Sequence, residues 1–248
     1  MVRYRFPRVF ELIDLIEHRD HPNAYFWEFE SRVRESADID RVWRAREVEF
    51  SRLDAAAWED LKIAAKPYLA KRSSKGRGWE QLISTLNEAR GYIYLKSKGC
   101  AAPRFIPRSK KGGIETPDLK GSRDQQLGIL CEVKTIHISE DEIGARETIK
   151  ARPTETRLSD EFLNKLDQTI TKAFSQLLAY EAGIARDRVA FIILNFDEWA
   201  GEYKREYYAQ VDEHLACRPD SACRVVFFNS RTAFHFDVEM QFAEVVNE

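Results

Sequence analysis

Glu115-Thr-Pro-Asp118, followed by Gly128-Ile-Leu-Cys-Glu132-Val-Lys134-Thr135, is the part of the chain whose reading decides the fold. A carboxylate stands at the start of one expected strand, and an acid and a lysine lie two apart in an apolar run. Strand side chains alternate faces with a period of two. Leu130, Glu132 and Lys134 therefore share one face, and Ile129, Cys131 and Val133 share the other. An acid inside an apolar strand is costly to bury without a partner, which sets Glu132 apart from solvated glutamates. Two carboxylates and an ammonium on a rigid sheet can hold a hard divalent cation and place a phosphate beside it.

Similar spacings recur at Asp60-Leu-Lys62, Asp118-Leu-Lys120 and Glu202-Tyr-Lys204, and a second Pro-Asp pair occurs at Pro219-Asp220. Asp60 and Glu202 fall in charge-rich, helix-like segments, and nothing after Pro219-Asp220 supplies a second half. Only the span from Asp118 to Lys134 ends in a strand-like run. Upstream of it, Trp79 to Gly99 reads as an amphipathic helix, with Leu82, Ile83, Leu86 and Ala89 at three-to-four spacing. Glu88 lies on that helix. Downstream, Ser159 is the expected N-cap of a long helix, with Asp160 and Glu161 at the positive end of its dipole. Phe162, Leu166, Ile170, Phe174, Leu177 and Leu178 form its apolar stripe, and Gly183 is the expected stop. On its polar side Lys172, Gln176 and Tyr180 repeat every four residues and stand in one row.

In this order the features resemble the PD-(D/E)XK nuclease superfamily, whose name is the pattern Pro117-Asp118…Glu132-Val133-Lys134. Members carry a helix with a glutamate ahead of a glycine and an extended strand, the place that Glu88 takes before Gly99. Gln176-Leu-Leu-Ala-Tyr180 matches the Gln-x-x-x-Tyr signature of the RecB-like branch. The resemblance covers roughly residues 79 to 196. It implies a restriction-endonuclease-like α/β core, a mixed central β-sheet flanked by helices, with an additional N-terminal helical region here. It also implies a metal-dependent deoxyribonuclease in which Asp118, Glu132 and the Val133 carbonyl hold Mg²⁺ or Mn²⁺. Glu88 would ligate a second metal or support the first. Lys134 would orient or deprotonate the attacking water, or neutralise the phosphate. Gln176 would position Lys134, the water or the scissile phosphate, and Tyr180 would stack or hydrogen-bond near the backbone. The RecB-like signature leans toward DNA ends or single strands. A ribonuclease on the same scaffold, and a nucleic-acid-binding protein without activity, are the alternatives. No Gly-x-x-x-x-Gly-Lys-Ser/Thr loop is present, so unwinding would need a separate helicase partner. A homodimer or a partner in phage defence is equally open.

A net charge of −2 and a pI near 6.3 argue against a dedicated nucleic-acid binder, but the distribution points the other way. Between Lys66 and Lys111 stand twelve basic residues and two acidic ones, a local net of +10. Phosphate contacts supply most non-specific affinity for DNA, so the DNA backbone is expected along residues 66–111. A hydrophobic content of 44% fits a globular chain rather than a disordered one. The longest apolar run, Val189 to Leu194, is too short to span a bilayer. The segment Met1 to Pro7 lacks the apolar core of a signal peptide, so a cytoplasmic protein without membrane association is expected. The four cysteines form no Cys-x-x-Cys pair, so reduced thiols are the default, with Cys131 a small core residue. The five histidines form no ligand-spaced pair. His137 lies nearest the site.

Residues 1–75 read as the N-terminal helical region and 76–248 as the nuclease-like domain, with Lys71 to Gly78 as the linker. In the first, Phe10 to Ile16 is one helix candidate, and another opens on Asp54 and stops at Pro67. Residues 137–158 form a long polar connection that could cover substrate. After Gly183, Arg188 to Phe196 reads as a fully buried strand. Trp199, Tyr203, Tyr207, Val211 and Leu215 mark a helix stripe, and Arg224 to Asn229 and Thr232 to Asp237 are late strand candidates.

Overall fold

The computed structural model describes residues 2–72, 79–107, 116–123, 127–136, 157–180, 185–194, 204–216, 224–229 and 243–245. Helices α1 (Pro7–Ile13), α2 (Phe29–Glu35), α3 (Ala37–Ser51), α4 (Ala55–Leu69) and α5 (Glu80–Ser97) come first. Strands β1 (Arg104–Phe105), β2 (Leu119–Arg123) and β3 (Leu127–Ile136) follow. Then come α6 (Asp160–Ala179), β4 (Ala185–Leu194), α7 (Lys204–Ala216), β5 (Arg224–Asn229) and β6 (Ala243–Val245). All six strands join one sheet whose spatial order is the chain order. The pairs β1–β2, β2–β3 and β5–β6 are antiparallel, and β3–β4 and β4–β5 are parallel. Parallel neighbours need a crossover rather than a hairpin, and α6 and α7 lie in those two connections. The expected mixed α/β class, helices flanking a mixed sheet, is present.

Both faces of the sheet are covered. The odd-numbered face of β3, with Ile129, Cys131 and Val133, joins a core that includes α5, Leu119, Val189, Phe191 and Ile193. The same core runs out through Trp58 and Leu61 of α4 to Phe6, Phe10 and Phe29. The even-numbered face, with Leu130, Ile136, Ala190 and Ile192, packs on Leu166, Ile170 and Leu177 of α6 and Val211 and Leu215 of α7. Strand β4 is buried on both sides from Val189 to Leu194, as a central parallel strand should be.

Several boundaries differ from the sequence reading, each for a local reason. Helix α1 starts at Pro7, whose fixed φ and missing N–H suit the first helical position. Pro67 does not stop α4, which continues to Leu69. A proline removes the bond to the carbonyl four residues back, here that of Ile63, a residue 69% exposed, where water can serve that carbonyl. Ser159 caps α6 as expected, accepting the Phe162 N–H at 3.2 Å, and Asp54 caps α4 by accepting the Ala57 N–H at 2.8 Å. Gly99 ends α5 with φ of +83°, a left-handed residue that glycine adopts at no steric cost. Gly183, His137, Trp199, Tyr203, most of the 137–158 connection and the Thr232 to Asp237 strand candidate lie outside the described residues. So do residues 73–78 of the expected linker. Among the described residues no helix is long and apolar enough to cross a membrane.

Candidate active site

The site is built where the β2–β3 ladder begins. Leu119 pairs with Cys131, so the register carried two residues back sets Asp118 opposite Glu132 and Pro117 opposite Val133. A proline has no N–H to give its ladder partner, and Pro117 is buried at this position. The Val133 N–H is instead taken by the side chain of Asp118, at 2.9 Å to Oδ2. In a strand the N–H and C=O of one residue face the same neighbour. The Val133 carbonyl therefore points to the edge where Asp118 lies. Pro117 thus has a physical role of its own. It ends the ladder and turns backbone groups over to the site.

Glu132 is 1% exposed, and Lys134 next to it on the same face is half-buried. Its carboxylate is fully engaged: Oε2 accepts the Asp118 N–H at 3.2 Å, and Oε1 accepts the Lys134 ammonium. Burial pushes its carboxyl well above the usual carboxylate range, to about 8. The Asp118 charge adds to that push, and Lys134 opposes it. The strand beside Glu132 carries Ala190 in register and the one beside Lys134 carries Ile192. Glu132 and Lys134 thus have an apolar wall on one side and Asp118 on the other.

Gln176 reaches this face from α6. The helix is tied down near its end by Arg188, whose Nε donates to the Leu177 carbonyl at 3.2 Å, and Arg188 pairs with Leu130 in the sheet. Gln176 therefore stands one residue from the point where α6 is tied to the sheet. It is 8% exposed, and its Oε1 is buried with no hydrogen-bond partner among the described residues. A buried amide oxygen in that state costs about 1–3 kcal/mol. Tyr180 stands one turn on, caps α6, and packs against the α6–α7 core.

Glu88 is also buried, at 7% exposure, but it arrives from the other side of the sheet. Its helix turn is held tightly. Asn87 donates to Thr135 Oγ1 at 3.1 Å and accepts from Arg46 Nη2 at 2.6 Å. Glu49 joins Arg46 at 2.9 Å to Arg90 at 3.0 Å. Gly91, one turn after Glu88, lets α5 approach closely, because an added Cβ would lie 2.5 Å from Val133 Cγ2. Glu88 therefore belongs to the turn of α5 that touches Val133 to Thr135. Among the described residues no three His, Cys, Asp or Glu side chains gather as a metal-ligating group.

Arg90, counted with the basic segment, is 3% exposed and paired to Glu49, so it presents no charge to solvent. Its guanidinium is pushed down to about 9 by burial, with the Arg46 charge adding to the effect. Lys66, Lys71, Arg72, Lys96 and Arg104 are exposed, while Lys75, Arg77, Arg108, Lys110 and Lys111 lie outside the described residues. Cys131 is buried, as expected of a core residue, and so is Cys100; both are free thiols.

Compared with known proteins, the chain matches no family model, and no curated protein is significantly similar to it.

Proposed function

We propose that the chain is a metal-dependent nuclease with a restriction-endonuclease-like core, acting on DNA at the Asp118, Glu132 and Lys134 site. The observation that carries this reading is the acid pair itself. Glu132 is buried against a second carboxylate, an arrangement costly to fold unless a cation takes up the charge. The donor set fits a hard cation: two carboxylates, with the Val133 carbonyl turned to the same edge. When bound, Mg²⁺ or Mn²⁺ would act as a Lewis acid toward the phosphate and lower the pKa of a water.

The chain's own residues supply the remainder. Lys134, held by Glu132, would neutralise charge on the phosphate or orient or deprotonate the attacking water. Gln176, with a buried oxygen to satisfy, can accept from that water or from the lysine. Glu88 supports the α5 turn behind Val133. Tyr180, at the end of α6, is the candidate for contact with the nucleic-acid backbone.

The test is cleavage of end-labelled linear single-stranded, linear duplex and closed circular DNA, with Mg²⁺, Mn²⁺ or EDTA. Cutting is expected with metal and not with EDTA, and Lys134→Ala is expected to lower kcat by about 10²–10³-fold. Sparing of the closed circle marks dependence on ends. A folded protein that binds DNA yet cuts none of these substrates under either metal overturns the reading. RNA of the same sequence is the arm that separates a ribonuclease from a deoxyribonuclease.

A further inference from the structure

We infer that Lys120 and Arg104 form a phosphate-binding row that carries the nucleic acid from the acid pair out over the β1 edge of the sheet. The inference deepens the nuclease reading and rests on it. Asp118-Leu-Lys120 looks in the sequence like a chance copy of the acid–x–lysine spacing, and the sheet gives it a different meaning.

The register places the charges. Arg104 pairs with Lys120, Lys120 with Leu130, and Leu130 with Arg188. Ile106 donates its N–H to the Asp118 carbonyl at 2.9 Å, which extends the same register to Ile106, Asp118 and Glu132. Alternate residues of a strand share a face. Asp118, Lys120 and Arg104 therefore lie on the face that carries Glu132 and Lys134. The face reads in three levels along the strands: a basic row, then the acid pair, then Lys134. Adjacent levels are about 6.6 Å apart, twice the rise per strand residue.

Burial decides the direction. The inner half of the basic row is closed, since Leu130 is buried and Arg188 is half-buried with its Nε on the Leu177 carbonyl. The outer half is open, because Lys120 and Arg104 are both exposed. Among the described residues no hydrogen bond or ion pair engages either side chain, whereas Lys62, Lys134, Arg46 and Arg90 are tied to acids. Two uncommitted cations one level from a pair of acids suit a ligand that alternates a metal-bound anion with a neighbouring one. A polynucleotide backbone has that form. The competing role for these charges is protection of a short edge strand from pairing with another chain.

The deciding experiment measures binding of a fluorescent single strand and its duplex to the full chain in EDTA, over a series of KCl concentrations. It is accompanied by KM and kcat for cleavage with Mg²⁺. Wild type is compared with Lys120→Gln/Arg104→Gln and with a control pair of equal charge change, Arg34→Gln/Arg41→Gln. The row predicts a salt slope shallower by about 1.4 for single strands and about 1.8 for duplex, two phosphate contacts' worth. KM is expected to rise several-fold with kcat at saturation retained. A slope and KM indistinguishable from the control pair overturn the row and leave the edge-protecting role. A wild type that cuts nothing, but whose slope still falls in the double variant, overturns the nuclease reading and leaves the row standing as a binding surface. Absence of binding by wild type in EDTA overturns the row, and absence of cleavage with Mg²⁺ as well overturns both.

Discussion

Asp118 is tied to the sheet through every polar group it has. Its carbonyl accepts from Ile106, its N–H gives to Glu132, and its carboxylate accepts the Val133 N–H. Asparagine in its place keeps all three contacts, since the amide oxygen still accepts, and removes only the charge that faces Glu132. Asp118→Asn is therefore expected to raise the melting temperature of the metal-free protein. It is also expected to abolish the stabilisation by Mg²⁺ or Mn²⁺ that the proposed metal site predicts for wild type. At a hundred times Kd that stabilisation amounts to about 2.7 kcal/mol, or about 5–10 °C for a chain of this length. Thermal unfolding with and without metal measures both effects. A lower metal-free melting temperature would show that Glu132 does not feel Asp118 as a like charge. The placement of Glu132 and Lys134 on one face was legible in the sequence, because strand periodicity requires it. The Gln176 oxygen, without a partner among the described residues, was not, since a four-residue row tells which side chains stand together but not what they lack. Lys120 was visible only as a residue of the right type, because its openness depends on which strand forms the edge.

At the scale of elements, α5 sets how closely the helical layer can approach β3. Gly91 is the contact point, and a methyl there would meet both Val133 Cγ2 at 2.5 Å and Leu119 Cδ1 at 2.9 Å. Neither neighbour is the loose end of a long side chain, so the helix has to move. Gly91→Ala gains about 1 kcal/mol of helix propensity but is expected to lose about 1–3 kcal/mol to overpacking. The expected result is a net fall in the urea midpoint at unchanged m-value; on the proposed function, cleavage is expected to fall further because Val133 borders Asp118. A raised midpoint would mean that α5 has slack against the sheet. The sequence reading of α5 as amphipathic found its apolar positions but not its fate. Between Thr85 and Leu95 every residue is buried, because α5 lies between α3 and α4 on one side and the sheet on the other. Arg90 and Glu88 could not be read as buried from a single helix, because Glu49, the acid that pairs with Arg90, lies on α3, 41 residues earlier.

At the scale of the whole molecule, the helical layer and the sheet share a core that runs from Val2 to Ile193. Polar links cross the same boundary. Glu47 of α3 accepts the N–H groups of Arg8 and Val9, both at 3.0 Å, and the Arg46–Asn87–Thr135 chain reaches β3. Four of the five tryptophans, Trp27, Trp43, Trp58 and Trp79, lie in the first third of the chain, so tryptophan emission reports on that layer while far-UV circular dichroism reports on the whole. A shared core predicts coincident urea transitions by the two probes. An earlier fluorescence midpoint would show that the layer comes away first. The α/β class was readable from the alternation of strand-like and helical runs, whereas the sharing of one core was not, since it depends on contacts between residues far apart in the chain.

The identity of chain order and sheet order also bears on synthesis. Among the described strands none must later be inserted between two that have already paired. As the polypeptide leaves the ribosome, each new strand meets an open edge made by its predecessor, and the hairpin carrying Asp118 and Glu132 can close before α6 has been translated. The acid pair would then be assembled early, with the helix that brings Gln176 arriving as a later cover.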